Sequence, residues 1–237
     1  MPLVNAGSDL LSQYRTPLLL GHRGAKAYAP ENTIEAFELA LKHGCDGIEF
    51  DVRLTADAEA VVCHDPKFKG VDIAGAQASA LVSSGVPALR TILERFANRA
   101  FLDIELKVVG AERMTLNLLA AFPPKRGYII SSFVPEVLEA IYAMKNDVPL
   151  ALICENRKQL EAAAALPLFG VVLHASLVHG EVIDCFLECN VPLFVWGAKR
   201  NAQMRSIVEA GAHALIVDDT KLAVQTFRSE AHTAGNP

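Results

Sequence analysis

Two short stretches place acidic residues two apart. "GIEFDVRL" (47–54) carries Glu49 and Asp51, and "DIELK" (103–107) carries Asp103, Glu105 and Lys107. On a β-strand, side chains two apart share a face. Glu49, Asp51 and Glu105 on neighbouring strands would repel one another strongly if buried and ionised. Three resolutions exist: protonation, neutralisation by Lys107 and Arg23, or capture of a cation. An all-oxygen cluster suits a hard divalent ion such as Mg²⁺ or Ca²⁺. An internal salt-bridge network with Arg53 and Lys107 accounts for the spacing equally well. Two histidines add to the first reading. His22 in "GHRG" and His64 in "VVCHD" each end an apolar run. The ordinary histidine pKa, near 6.5, suits a general acid and base. Arg23 and Lys107 are natural phosphate partners. Metal, phosphate-binding cations and an acid–base pair together read as phosphoester hydrolysis.

These residues need a frame that brings them together. Eight strand-like runs occur, at 17–21, 47–52, 100–106, 127–131, 149–154, 169–174, 191–196 and 213–218. Amphipathic helical segments separate them, and Gly44 and Gly211 close two of those segments. Alternating strand and helix predicts a parallel sheet. Eight units in 237 residues fit an α/β fold of the (β/α)8 TIM barrel type, typically about 250 residues, forming one domain over 1–237. An open doubly wound sheet is the alternative, but no GxGxxG turn supports it. A barrel gathers its active site at the C-terminal strand ends. Those ends carry His22, Arg23, Glu49, Asp51, Asp103, Glu105, Lys107, His174, Trp196 and Asp218. The irregular connection from Arg53 to Pro87 holds a short extra strand at 59–65, then a loop rich in Ala, Gly and Ser. The tail at 229–237 reads as frayed.

Composition narrows the function classes. Hydrophobic residues make up 51% and charged residues 21%, enough for a large core. The net charge of -5 contains no basic stripe, which argues against nucleic acid and membrane-surface binding. Five dispersed cysteines, an odd number, point to reduced thiols and a cytoplasmic location. No membrane span or targeting segment is visible. The expected partner is a small-molecule phosphodiester, with a monomer or homodimer both open.

The segment "GHRGAKAYAPENTIEAFELALKHGCDGIEFDVRLTADAEAVVCHD" (21–65) closely resembles the signature of the glycerophosphodiester phosphodiesterase family. HRG, PENT, an AF helix, IE-D-V, T-D and HD fall in order. "VPALRTILERF", "DIELK", "SSFVPEVLEAI", "PLFVW" and "ALIVDD" extend the resemblance over nearly the whole chain. It implies a (β/α)8 barrel that hydrolyses glycerophosphodiesters to glycerol 3-phosphate and an alcohol, using a divalent cation, Mg²⁺ or Ca²⁺. Carried over by position, Glu49, Asp51 and Glu105 bind the metal, and His22 and His64 are the acid–base pair. Arg23 and Lys107 hold the phosphate, and Trp196 contacts the substrate. Glu31 and Asn32 of PENT support these groups from behind, Asn32 at the start of the first helix. Two departures stand out. Ala58 replaces a glycine suited to positive φ, so the turn before the extra strand is expected to differ. The loop after His64 is short and lacks an Arg-Thr pair, so the cap is short or absent. The alternatives are a related barrel phosphodiesterase acting on lysophospholipids or other phosphodiesters, and a non-catalytic metal-binding barrel.

Overall fold

The computed structural model describes residues 7–163 and 165–228. In chain order the strands are β1 (Leu18–His22), β2 (Gly47–Leu54), β3 (Ala60–Val62), β4 (Lys67–Phe68), β5 (Val71–Asp72), β6 (Phe101–Leu106), β7 (Tyr128–Ser132), β8 (Leu150–Cys154), β9 (Gly170–His174), β10 (Leu193–Trp196) and β11 (Ala214–Val217). The helices are α1 (Gly7–Ser12), α2 (Ile34–His43), α3 (Ala78–Ser84), α4 (Leu89–Phe96), α5 (Glu112–Ala121), α6 (Pro135–Met144), α7 (Arg157–Ala163), α8 (Gly180–Glu188), α9 (Asn201–Glu209) and α10 (Thr220–Arg228).

The main sheet runs β1-β11-β10-β9-β8-β7-β6-β2, and β1 also pairs with β2, so it closes into a barrel. Every pairing around that ring is parallel. Period-two alternation divides each strand between two apolar layers. Outward residues such as Leu19, Phe50, Ile104, Ile130, Leu152, Leu173, Val195 and Leu215 pack under the helices. Inward residues Leu18, Leu20, Phe101, Ile129, Ile153, Val172, Phe194 and Ile216 fill the barrel. Leu10 and Leu11 of α1, with Tyr14, pack against this interior cluster. The sequence reading did not anticipate α1. Among the described residues, no helix is long and apolar enough to cross a membrane. The tail at 229–237 lies outside the described residues.

The connection after β2 is more ordered than its small residues suggested. β3 pairs antiparallel with the far end of β2. Beyond it, β4 and β5 form a hairpin, and Ala78–Ser84 is a helix rather than loop. Val61, Cys63, Ile73, Leu81 and Val86 make a small core for this lobe. In the turn before β3, Ala58 itself takes the positive φ, +58, with Thr55 bonded to Asp57 and Glu59. The turn's hydrogen bonds impose the left-handed backbone on an alanine, at a cost of roughly 1–2 kcal/mol.

Candidate active site

Parallel register aligns the acidic strands. Glu49 lies opposite Asp103, and Asp51 opposite Glu105. All four are buried. Oxygens of Glu49, Asp51 and Glu105 lie within 4.8 Å of one another. Burial and the charge of Asp51 push Glu49 well above the usual carboxylate range. The same causes, burial first, raise Glu105 to about 8. Burial lifts Asp103 to about 7. Asp51 is the exception: burial is outweighed by Lys107, Arg23 and the Asn32 amide, which hold it below its ordinary value. Without an ion the cluster therefore combines two of the three resolutions, shared protons and neighbouring cations. The third also fits. Glu49 Oε1 and Asp51 Oδ1 are buried and accept no hydrogen bond, which leaves lone pairs suited to a hard divalent cation.

Three side chains organise the cations. Lys107 Nζ lies 2.6 Å from Glu105 Oε1 and 3.3 Å from Asp51 Oδ1, the latter an ion pair without hydrogen-bond alignment. Arg23 follows β1 with φ +54; its backbone N–H donates to Glu49 Oε2 at 2.8 Å. Its guanidinium pairs with Glu31 at 2.9 Å and faces Asp51 Oδ2 at 3.2 Å. Arg53 stays out of this network, donating instead to the His64 carbonyl. Asn32 is not the cap of α2. Thr33 is, accepting from the Ala36 N–H, a contact worth about 1 kcal/mol. Asn32 takes the left-handed backbone, φ +57, and grips Asp51 from both ends of its amide.

Each of the two histidines lining the site sets Nδ1 against an aspartate. His22 Nδ1 lies 2.7 Å from Asp218 Oδ1, and His22 Nε2 lies 3.9 Å from Glu49 Oε2. Lys26 Nζ sits 3.0 Å from the same Asp218 oxygen. Burial, with the charge of Lys26, outweighs Asp218 and holds His22 below its ordinary pKa. Asp218 itself drops to about 2: burial, which would raise it, is overcome by His22 and Lys26. His64 Nδ1 lies 2.8 Å from Asp65 Oδ1.

A cavity of about 430 Å³ joins His22, Arg23, Glu49, His64, Glu105 and Lys107. Trp196 also lines it, edge-on to His174 with centroids 4.6 Å apart. The glycine after it leaves that histidine room: a Cβ on Gly197 would meet His174 Nε2 at 2.6 Å. Asn32 and Glu31 stand behind the cavity wall, on Asp51 and Arg23. The sequence reading noted Asp103 and Asp218 as strand-end residues without roles, and passed over Lys26. Inward parity placed Asp103 on the right face. The 196-residue separation of His22 and Asp218 left no local trace.

Residues 22–81 and 67–222 match the model of the Glycerophosphoryl diester phosphodiesterase family. A glycerophosphodiester phosphodiesterase of Caldanaerobacter subterraneus subsp. tengcongensis is 27% identical over 237 residues, covering 89% of this chain and 98% of that protein. The crystal structure of a glycerophosphodiester phosphodiesterase from Thermotoga maritima superposes with a TM-score of 0.79 at 25% identity, covering 90% of this chain and 99% of that one. An Oleispira antarctica phosphodiesterase, solved with its product sn-glycerol 3-phosphate, shares the fold with a TM-score of 0.80 at 18% identity, covering 89% and 96%.

Proposed function

The chain belongs to the glycerophosphoryl diester phosphodiesterase family and is accordingly a phosphoric diester hydrolase, and on that premise we propose that it hydrolyses glycerophosphodiesters to glycerol 3-phosphate and an alcohol. The observation that carries the reading is the buried carboxylate triad with oxygens that accept no hydrogen bond, at a cavity lined by Glu49, Glu105 and two histidines. The product held by the Oleispira antarctica relative is consistent with it.

Glu49, Asp51 and Glu105 would hold a divalent cation, Mg²⁺ or Ca²⁺. When bound, it would neutralise the phosphate and polarise its oxygens. Lys107 and Arg23 add positive charge beside the same group, and Asn32 and Glu31 fix Asp51 and Arg23 in place. His22 and His64 both line the cavity. One imidazole takes a proton from water as the water oxygen bonds to phosphorus. As the phosphorus–oxygen bond to the leaving alcohol breaks, the other imidazole, already protonated, donates its proton to that alcohol. Burial shifts His22 toward the neutral imidazole, the form that accepts a proton. Trp196 and Phe133, whose rings lie 6.3 Å apart, form the apolar side where substrate carbon packs. We assign the whole chain, 1–237, to one catalytic domain acting on a small soluble substrate in the cytoplasm, the compartment its dispersed cysteines favour.

The test is release of glycerol 3-phosphate from glycerophosphocholine, with and without EDTA. EDTA-sensitive release is expected. Turnover of lysophosphatidylcholine alone would move the protein to the lysophospholipid group. No cation-dependent turnover of any phosphodiester would leave a binding barrel without catalysis.

A further inference from the structure

Asp103 is a fourth buried carboxylate, and the steps above do not use it. It sits one inward position below Glu105 on β6 and opposite Glu49 on β2. It is 1% exposed. Ser131 Oγ donates to its Oδ1 at 2.6 Å, while its buried Oδ2 has no partner. Asp103 and Ser131 line the cavity beside Ile153, Val172 and Ile216. Those three also belong to the cluster that fills the barrel below. The lower cavity is therefore mostly hydrocarbon around the Asp103–Ser131 pair, in which Asp103 Oδ2 lacks a partner.

A buried polar atom without a partner carries the full cost of its lost hydration. A ligand group that pairs with it recovers that cost on binding. A hydroxyl suits the position because it both donates and accepts, so it pairs with the carboxyl in either protonation state. The two halves of a glycerophosphodiester differ in what they require. The leaving alcohol varies in size and belongs toward the open mouth. The glycerol half is constant and small, as a closed floor demands.

We propose that Asp103, oriented by Ser131, is a specificity residue that pairs with the terminal hydroxyl of the substrate's glycerol. This rests on the hydrolase reading above. The test compares glycerophosphocholine with its analogue lacking that hydroxyl, 2-hydroxypropyl phosphocholine, by kcat/KM. It also compares glycerol 3-phosphate with propane-1,2-diol phosphate for binding by calorimetry. Wild-type protein should favour the hydroxyl-bearing member roughly 10- to 100-fold in both. Asp103→Ala should bring the ratio close to one. Asp103→Asn keeps the size and an amide that still pairs, so its ratio should fall between. A wild-type ratio near one, or an unchanged ratio in either variant, overturns the subsite while hydrolysis of glycerophosphocholine continues. Wild-type protein that cleaves neither substrate overturns the hydrolase reading and this inference with it.

Discussion

The two halves of the barrel interior share one backbone geometry and differ in what they carry. On β1, β2 and β6, inward positions hold His22, Glu49, Asp51, Asp103 and Glu105. On β8, β9 and β11, the cavity-facing positions are Ile153, Val172 and Ile216. Strand parity places residues on the inner face in both halves. The apolar half closes the core at no electrostatic cost. The ionisable half must offset the desolvation of four carboxyls, which it does with Lys107, Arg23, Asn32 and bound protons. The carboxylates are concentrated on one arc, Asp218 reaches His22 from the end of β11, and the apolar positions supply the wall against which that arc is held.

The largest expected effect lies in the ionisable arc. His22→Ala and His64→Ala should each lower kcat by about 10²- to 10⁴-fold, with melting curves close to wild type. Full activity in either variant would remove that residue from its role. The apolar arc should respond in the opposite sense. Ile216→Ala should cost about 2–5 kcal/mol in urea unfolding, with a much smaller change in kcat. A variant that lost activity but not stability there would break the division.

A third expectation concerns the protons shared among the carboxyls. Glu105 has a folded pKa of about 8 against an ordinary 4.5. Across that window the folded chain keeps a proton that the unfolded chain has lost. Its contribution to the ion-free protein's stability is thus lost as pH rises from about 4.5 to 8, by up to about 1.4 kcal/mol per pH unit. A divalent ion binds the ionised form, so the Tm rise it produces should grow over the same window. Glu105→Gln, which has no proton to release, should show a flatter dependence. Equal slopes in both proteins would assign the effect elsewhere. The smallest effect is at Ala58. Ala58→Gly should stabilise by about 1 kcal/mol or less in urea titration, because glycine adopts φ +58 without the steric penalty. A loss of stability would mean that the turn relaxes around alanine.

The same contrast explains what the sequence made legible. The eight barrel strands and the helices between them follow from periodicity and from glycine stops. The triad and both histidines follow from parity and from position at strand ends. Asn32 was legible as a supporting residue, but its partner was not: Thr33 does the capping, and only the folded chain brings the Asn32 amide to Asp51. α3 was missed because its alanines and serines lack an apolar stripe. Asp218 needed the closure of β11 against β1 before it could meet His22. Asp103 was visible, but its unsatisfied oxygen is a property of packing.

One anchor near His64 has a consequence of its own. Cys63 N–H donates to the Asp51 carbonyl at 2.9 Å, Val62 N–H to the Pro87 carbonyl at 2.8 Å, and Arg53 to the His64 carbonyl. The excursion from Pro66 to Val86 therefore leaves and rejoins the molecule at one stapled seam. Lengthening or shortening a closed excursion changes its closure entropy only slowly. Residues 66–86 can thus change length cheaply only while Ile73, Leu81 and Val86 keep packing on Cys63, the neighbour of His64.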